Sequence, residues 1–418
     1  MNVAGTLRVP GDKSISHRAL ILSALAKGES RVKGILESAD VHSTASVLRT
    51  LGASIPTLSP DFVIDGRGVG SLGNPASALD CGNSGTTTRL MAGVVAARPI
   101  EATFVGDSSL SRRPMRRVAR PLEAMGARIA LPQHGGLPMT IWGSDLHDVI
   151  WQSEVASAQV KSAILLAALT AGVAAEVIEP HATRDHTERM LIARGAPLVT
   201  HDTGVRLDEL AYVEPLDVDV PGDPSSAAFF AGLAAIAEGG SLRLERVCVN
   251  ETRIGFLEQL ERMGASVTQV DARLDGGEPV ADILVEPGEL LAATVTADDV
   301  PAMVDELPLL ACLATRANGE TRITGANELR VKESDRIAAV VANLRAIGAE
   351  AEELPDGMIV RGPTAGLRGR ITTHGDHRLA MAFGILGAAA GNEIEIDDRD
   401  CVAVSYPRFW DDLASVTR

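Results

Sequence analysis

Cationic and hydroxyl side chains gather in this chain just ahead of apolar stretches, a placement suited to holding anions. Four sets stand out: Lys13, Ser14, Ser16, His17 and Arg18; Asn83, Ser84, Gly85, Thr86 and Arg89; Ser157, Gln159 and Lys161; and Asp376, His377 and Arg378. The first amides of a helix lack intrahelical partners and its dipole is positive at that end. Several such helix starts aimed at one ligand would attract phosphate or carboxylate. Ser, Thr, Asn and Asp also cap ordinary helices; repetition together with Arg and Lys points beyond capping. Arg112 and Arg113 in SLSRRPMRR precede Pro114, which reads as the first residue of a helix, and the run reads as an anion clamp. In LRVKESDR, Lys332 and Arg336 stand four apart and are expected on one helical face, with Glu333 turned to a reacting centre.

Other chemistries find less support. GVGSLG, from Gly68, matches a dinucleotide-binding fingerprint, but Asn74 and Pro75 follow it in place of a helix, so it reads as a loop. GNSGT has Ser84 followed at once by Gly85 and is no nucleophile elbow, and GDKS lacks P-loop spacing. His374 and His377, or His181 and His186, lack a third clustered ligand, so no metal is expected. Cys81, Cys248, Cys312 and Cys401 are too dispersed for a zinc site or a redox pair and read as free thiols in a reducing compartment.

The elements that must position these residues follow from repetition. Small, almost wholly apolar helices begin near His17, Thr87, Val160, Ala227, Glu306 and His377, at intervals of about 70 residues. Between them run amphipathic helices that end in Gly-Ala at Gly52, Gly126, Gly195, Gly264 and Gly348, where Gly takes a left-handed cap and a strand follows. The last amphipathic helix lies after Pro407. Helices that are apolar all round belong inside, and amphipathic ones outside. Six such units fill the chain. The expected fold is α/β, with two domains of three βαβαββ units each around buried inner helices. VPGDPSS (Val220 to Ser226) and the N-terminal PGDKS share a Pro-Gly-Asp turn, which places one domain at 12–223, the other at 1–11 plus 224–418, and the hinge near 10–13 and 220–226.

Composition narrows the partners. The 418 residues are 45% apolar and 22% charged, ordinary for a globular chain of more than one domain. A formal net charge of -16 argues against nucleic acid held by bulk electrostatics. No secretory signal is read at Met1, and the stretch from Ala163 to Ala175 falls short of the roughly 20 residues of a membrane span. A soluble, cytoplasmic monomer with no membrane partner is expected.

PGDKSISHRAL, GNSGTTTRL, RRPMRR, SAQVKSA, TRDHTE, RVKESDR and GDHRLAMAF, in this order between Lys13 and Pro407, resemble the motifs of the 5-enolpyruvylshikimate-3-phosphate synthase family, its class II branch more than class I. The resemblance implies the enolpyruvyl transferase fold, an inside-out α/β barrel, in agreement with the six-unit period. It also implies transfer of the enolpyruvyl group of phosphoenolpyruvate to the 5-hydroxyl of shikimate 3-phosphate, in the shikimate pathway to aromatic amino acids, with no cofactor. Carried over by position, Lys13, Ser14, Arg18, Ser157, Gln159, Arg184, Asp305 and Lys332 would bind shikimate 3-phosphate. Lys13, Asn83, Gly85, Arg113, Gln159, Arg336, His377 and Arg378 would bind phosphoenolpyruvate, and Lys13, Asp305 and Glu333 would be catalytic.

Both substrates are multiply anionic, so bringing them together requires cations and helix ends that offset their repulsion. Addition and elimination at the enol carbon need an acid and a base that exchange roles. On this reading Asp305 takes the 5-hydroxyl proton, while Glu333 with Lys13 handles protons at the enol carbon. The clusters fall in both expected domains, so closure on ligand binding is expected. Val404, Ala158 and Glu328 depart from the Lys, Ser and Asn that some members carry. Gly85 is the small residue of members sensitive to glyphosate, which is expected to compete with phosphoenolpyruvate. The nearest alternative is the sister transferase acting on UDP-N-acetylglucosamine, which usually has a Cys in the loop before Arg-Pro; here that loop is GDSSLSRRP. RNA 3'-phosphate cyclases would need a basic face, and a catalytically silent scaffold would not be expected to keep Lys13, Arg113, Asp305, Glu333 and Arg378 together.

Overall fold

The computed structural model describes all 418 residues. Its helices are α1 (Lys13–Leu25), α2 (Ala39–Thr50), α3 (Gly85–Ala96), α4 (Arg116–Ala124), α5 (Ala158–Ala171), α6 (His186–Ile192), α7 (Pro224–Ala235), α8 (Gly255–Arg262), α9 (Val300–Met303), α10 (Leu307–Ala314), α11 (Arg336–Ala346), α12 (His377–Ala388) and α13 (Phe409–Val416). The chain divides into two compact units. The N-unit holds Gly11–Val220 and Asp275–Glu278; the C-unit holds Met1–Pro10, Pro221–Leu274 and Pro279–Arg418. The short segment 275–278, which the sequence grouped with 224–418, thus counts with the N-unit.

Three sheets build each unit. In the N-unit, Lys27–Lys33 lies between Val218–Asp219 and Asp61–Arg67. A second sheet runs Leu79–Asp80, Glu101–Val105, Met139–Trp142, Arg128–Ala130, and a third runs Leu198–His201, Gly204–Leu207, Ala175–Ile178, Val149–Gln152. Every sheet of both units contains one parallel pair, and in four of the six the paired strands are joined through the inner helix between them. In the C-unit the N-terminal strand Asn2–Leu7 pairs with Gly239–Cys248, so the chain before the N-unit and the chain after it serve one core.

Helix composition decides which helices go inside. Every residue of α7 and of α10 is buried, because Ala, Phe, Leu and Gly leave no polar face to present to water. In the N-unit α3 crosses α5 so closely that a Cβ on Gly93 would lie 2.1 Å from the Ala163 carbonyl oxygen. Outer helices such as α4 bury Val118, Ala119 and Leu122 and expose their arginines. The five Gly-Ala glycines have φ between 81° and 113°, the left-handed caps that end α2, α4, α6, α8 and α11.

Two local expectations are corrected. Pro114 does not open a helix: Leu110–Arg112 form a 3-10 turn, Arg113 is extended, and α4 starts at Arg116. Lys332 and Arg336 do not share a helical face, because Asp335 caps α11 by accepting from the Ala338 N–H at 3.1 Å, which leaves Lys332 extended before the helix. All four cysteines are free and three of them are buried. No helix is long and apolar enough to cross a membrane.

Candidate active site

In the N-unit, Asp12 caps α1 by accepting from the Ile15 N–H at 2.8 Å, which sets Lys13 and Ser14 at the helix start. Lys13 Nζ donates to Asp40 Oδ2 at 3.1 Å. Burial opposes the charge on Asp40, yet Lys13 and His17 hold its carboxyl below the ordinary range. Arg18 is buried and donates to Thr187 Oγ1 (2.7 Å), Ser162 Oγ (2.7 Å) and the Ser14 carbonyl (2.9 Å), which joins α1 to α5 and α6. Burial pushes Arg18 down to about 10, so it stays charged at neutral pH but at a cost.

A second network centres on α3, which Ser84 caps. Asn83 donates to Asp107 Oδ2 at 2.6 Å and accepts from Arg113 at 2.7 Å. Arg89 donates to Gln159 Oε1 at 2.8 Å, and Gln159 Nε2 donates to Thr86 Oγ1 at 3.0 Å. Burial, then the nearby charges of Arg113 and Arg117, push Arg89 down to about 10. Gly85 leaves room here, since a Cβ would lie 2.6 Å from an Arg89 nitrogen and 3.5 Å from one of Arg113. Ser157 caps α5 by accepting from the Val160 N–H at 3.4 Å. Arg184 lies half-buried in the loop between Ala175–Ile178 and α6.

The C-unit gathers carboxylates among its cations. Asp305, between α9 and α10, lies 3.8 Å from Lys332 Nζ and 3.6 Å from a guanidinium nitrogen of both Arg336 and Arg378. Arg336 is buried and donates to Asp376 at 2.8 and 3.2 Å and to Glu333 at 2.6 Å. Burial would lower its pKa, but Asp376 and Glu333 more than reverse this and raise it above the ordinary value. Asp376 also caps α12 by accepting from the Arg378 N–H, which places buried His377 and half-buried Arg378 at the helix start.

The N-unit therefore draws Asn83, Gly85, Arg113 and Gln159 into one network, with Lys13, Ser14, Arg18, Ser157 and Arg184 on the same unit. The C-unit draws Asp305, Lys332, Glu333, Arg336 and Arg378 together beside His377. Sequence reasoning named these groups but not the roles of the acids and hydroxyls that orient them: Asp40, Asp107, Thr187 and Glu306, which accepts from Arg378 at 3.4 Å. Glu328 stands 3.9 Å from Lys332, Ala158 opens α5, and Val404 ends a short 3-10 turn.

Comparison with known proteins bears on this arrangement. The family model of EPSP synthase (3-phosphoshikimate 1-carboxyvinyltransferase) matches residues 1–413. A 3-phosphoshikimate 1-carboxyvinyltransferase of Sulfurihydrogenibium sp. (strain YO3AOP1) is 48% identical over 421 residues, covering 100% of this chain and 98% of its own. One from Acidithiobacillus ferrooxidans (strain ATCC 53993 / BNL-5-31) is 49% identical, covering 97% and 94%. Among solved structures, EPSP synthase from Acinetobacter baumannii superposes with a TM-score of 0.91 at 40% identity, covering 100% of this chain and 96% of that one. The enolpyruvyl transferase NikO from Streptomyces tendae shares the fold, with a TM-score of 0.77 at 16% identity over 99% of this chain and 95% of its own.

Proposed function

The chain belongs to the EPSP synthase family, the 3-phosphoshikimate 1-carboxyvinyltransferases, and on that premise we propose how its two clusters divide the work of the reaction. That reaction transfers the enolpyruvyl group of phosphoenolpyruvate to the 5-hydroxyl of shikimate 3-phosphate and releases phosphate. Lys13, Ser14, Arg18, Ser157, Gln159, Arg184, Asp305 and Lys332 hold shikimate 3-phosphate. Lys13, Asn83, Gly85, Arg113, Gln159, Arg336, His377 and Arg378 hold phosphoenolpyruvate, and glyphosate competes there.

Asp305 removes the 5-hydroxyl proton as that oxygen attacks C2 of phosphoenolpyruvate, and Glu333, with Lys13, delivers a proton to C3. The product of this addition is a tetrahedral ketal phosphate bearing a methyl group. Phosphate then leaves C2, taking the proton that Asp305 had gained, while the methyl returns a proton to Glu333, which restores the double bond and both carboxyl groups. The observation that supports these roles most is that Asp305 and Glu333 meet Lys332, Arg336 and Arg378 in one cluster, so proton-transferring carboxylates stand among cations able to hold the reacting anions. The enzyme works in the cytoplasm as a monomer.

Phosphate release from phosphoenolpyruvate, measured in parallel with shikimate 3-phosphate and with UDP-N-acetylglucosamine, tests the reading. Release with shikimate 3-phosphate alone is expected. Release with only the sugar nucleotide, or with neither, would overturn it.

A further inference from the structure

The N-unit buries a charged triad, Lys161, Glu179 and Glu188, to which the reaction assigns no role. Lys161 Nζ lies 2.6 Å from Glu179 Oε2 and 2.8 Å from Glu188 Oε1, and each side chain is at most 5% exposed. Ions taken out of water are costly to bury, and well-packed apolar residues could hold the same elements at less expense. What the triad touches gives it a purpose. Lys161 also donates to the Thr183 carbonyl at 3.5 Å, and the Thr183 hydroxyl donates to Glu179 Oε1 at 2.6 Å. Thr183 immediately precedes Arg184, so both ends of the loop from Glu179 to Arg184 are tied to one ammonium on α5.

The same helices serve Arg18 through the next residues along. Ser162 follows Lys161 and Thr187 precedes Glu188, and these two hydroxyls hold the Arg18 guanidinium. After burial, which lowers the pKa of Arg18, the charge of Glu188 is the largest influence on it and acts in the opposite direction, while the charge of Arg184 adds to the lowering. Burial raises the Glu188 carboxyl, and the charge and hydrogen bond of Lys161 oppose that rise, so Lys161 favours the ionised Glu188 that offsets the Arg18 charge.

We infer that Lys161, Glu179 and Glu188 are positioning residues for shikimate 3-phosphate: they fix the loop that carries Arg184 and offset the charge of Arg18 until the substrate arrives. The inference rests on Arg18 and Arg184 being ligands of that substrate. None of the triad touches the reacting atoms, so the effect belongs to binding of one substrate and not to the chemical step.

Steady-state kinetics of the full-length enzyme test it with Lys161→Met, Lys161→Arg and Arg184→Ala. Lys161→Met should raise KM for shikimate 3-phosphate about tenfold, with KM for phosphoenolpyruvate and kcat within about twofold, and Lys161→Arg should recover most of the loss. Should Lys161→Met fail to fold, Glu179→Gln keeps the size and an acceptor for Thr183, and should raise the same KM about threefold. Equal rises in both KM values, or none, overturn the inference. If Arg184→Ala leaves KM for shikimate 3-phosphate unchanged, the assignment of Arg184 as a ligand fails. If Arg184→Ala raises that KM while Lys161→Met does not, the triad alone loses its role.

Discussion

Replacing Asp376 by Asn should destabilise the C-unit by about 3 kcal/mol, close to the low end of what breaking a buried ion pair costs. Asp376 and Arg336 have side chains 0% and 1% exposed and meet at 2.8 Å, so solvent cannot take over either role. The low end applies for two reasons. Glu333 at 2.6 Å and Asp305 at 3.6 Å still face the guanidinium, and an amide oxygen can still accept the Arg378 N–H that Asp376 accepts at 3.0 Å. For a unit of roughly 200 residues, about 2–4 °C per kcal/mol puts the loss in melting midpoint at about 6–12 °C.

Acidification gives a second reading of the same pair. Burial alone would raise Asp376, but the charge and hydrogen bonds of Arg336 outweigh it and hold the carboxyl below its ordinary 3.8. A depressed carboxyl contributes stability that is fully present above the unfolded value and is lost as pH falls through the folded one. Wild type therefore loses this contribution below about pH 4, whereas D376N has no such carboxyl to protonate. Urea unfolding of both proteins at pH 7 and toward pH 3 should show a gap that narrows on acidification. A gap under about 1 kcal/mol at pH 7 would refute the argument that Arg336 depends on this partner.

Three further outcomes are expected. Glu333→Gln should lower kcat at least about a hundredfold while the Kd for shikimate 3-phosphate stays within about twofold, and unchanged turnover would remove Glu333 from the mechanism. Gly85→Ala places a Cβ 2.6 Å from an Arg89 nitrogen, so the guanidinium must yield its contact with Gln159. KM for phosphoenolpyruvate and the glyphosate concentration giving half inhibition should both rise about tenfold, and equal effects on shikimate 3-phosphate would show that Gly85 does not serve one substrate. His17 is lowered to about 3, chiefly by burial. The unfolded chain protonates near 6.5 and the folded one only near 3, so each pH unit below 6.5 down to that value removes about 1.4 kcal/mol of stability. A His17 imidazole resonance titrating near pH 6.5 in the folded protein would contradict this.

The repeat was legible because its signals are local. Gly52, Gly126, Gly195, Gly264 and Gly348 each end a helix with positive φ, and the all-apolar run of α7 could be satisfied only inside. Helix starts were less legible where charge alternation competed with a cap: Asp335, not Lys332, decides where α11 begins. The candidate site was legible in its cations, because Lys and Arg at helix starts stand out in an acidic chain. Which acid or hydroxyl each cation meets was not, since the partners lie far along the sequence. Asp40 is 27 residues from Lys13, Asp376 is 40 from Arg336 and Thr187 is 169 from Arg18. Spacing within a helix carries no information about such pairs; they exist only once elements pack.

The two clusters differ in how their arginines are held, and that difference decides which of them takes a free anion first. In the N-unit, the side-chain hydrogen bonds of Arg18 go to Thr187 and Ser162 and that of Arg89 to Gln159, all neutral groups. In the C-unit, Arg336 is held by Asp376 and Glu333. The electrostatic consequences are opposite: Arg18 and Arg89 are pushed down to about 10, chiefly by burial, while Arg336 is raised because its acids outweigh burial. Arginines held by neutral groups are left poised for an anion, and an anion that meets them relieves the cost of their burial. Inorganic phosphate alone should therefore stabilise the N-unit first, by about 2.7 kcal/mol at a hundred times its Kd. Hydrogen exchange under phosphate should slow at amides in the first turns of α1, α3 and α5 and leave α11 little changed. Protection confined to α11 would mean that the carboxylate-held arginine, and not those held by hydroxyls and amides, takes the free anion first.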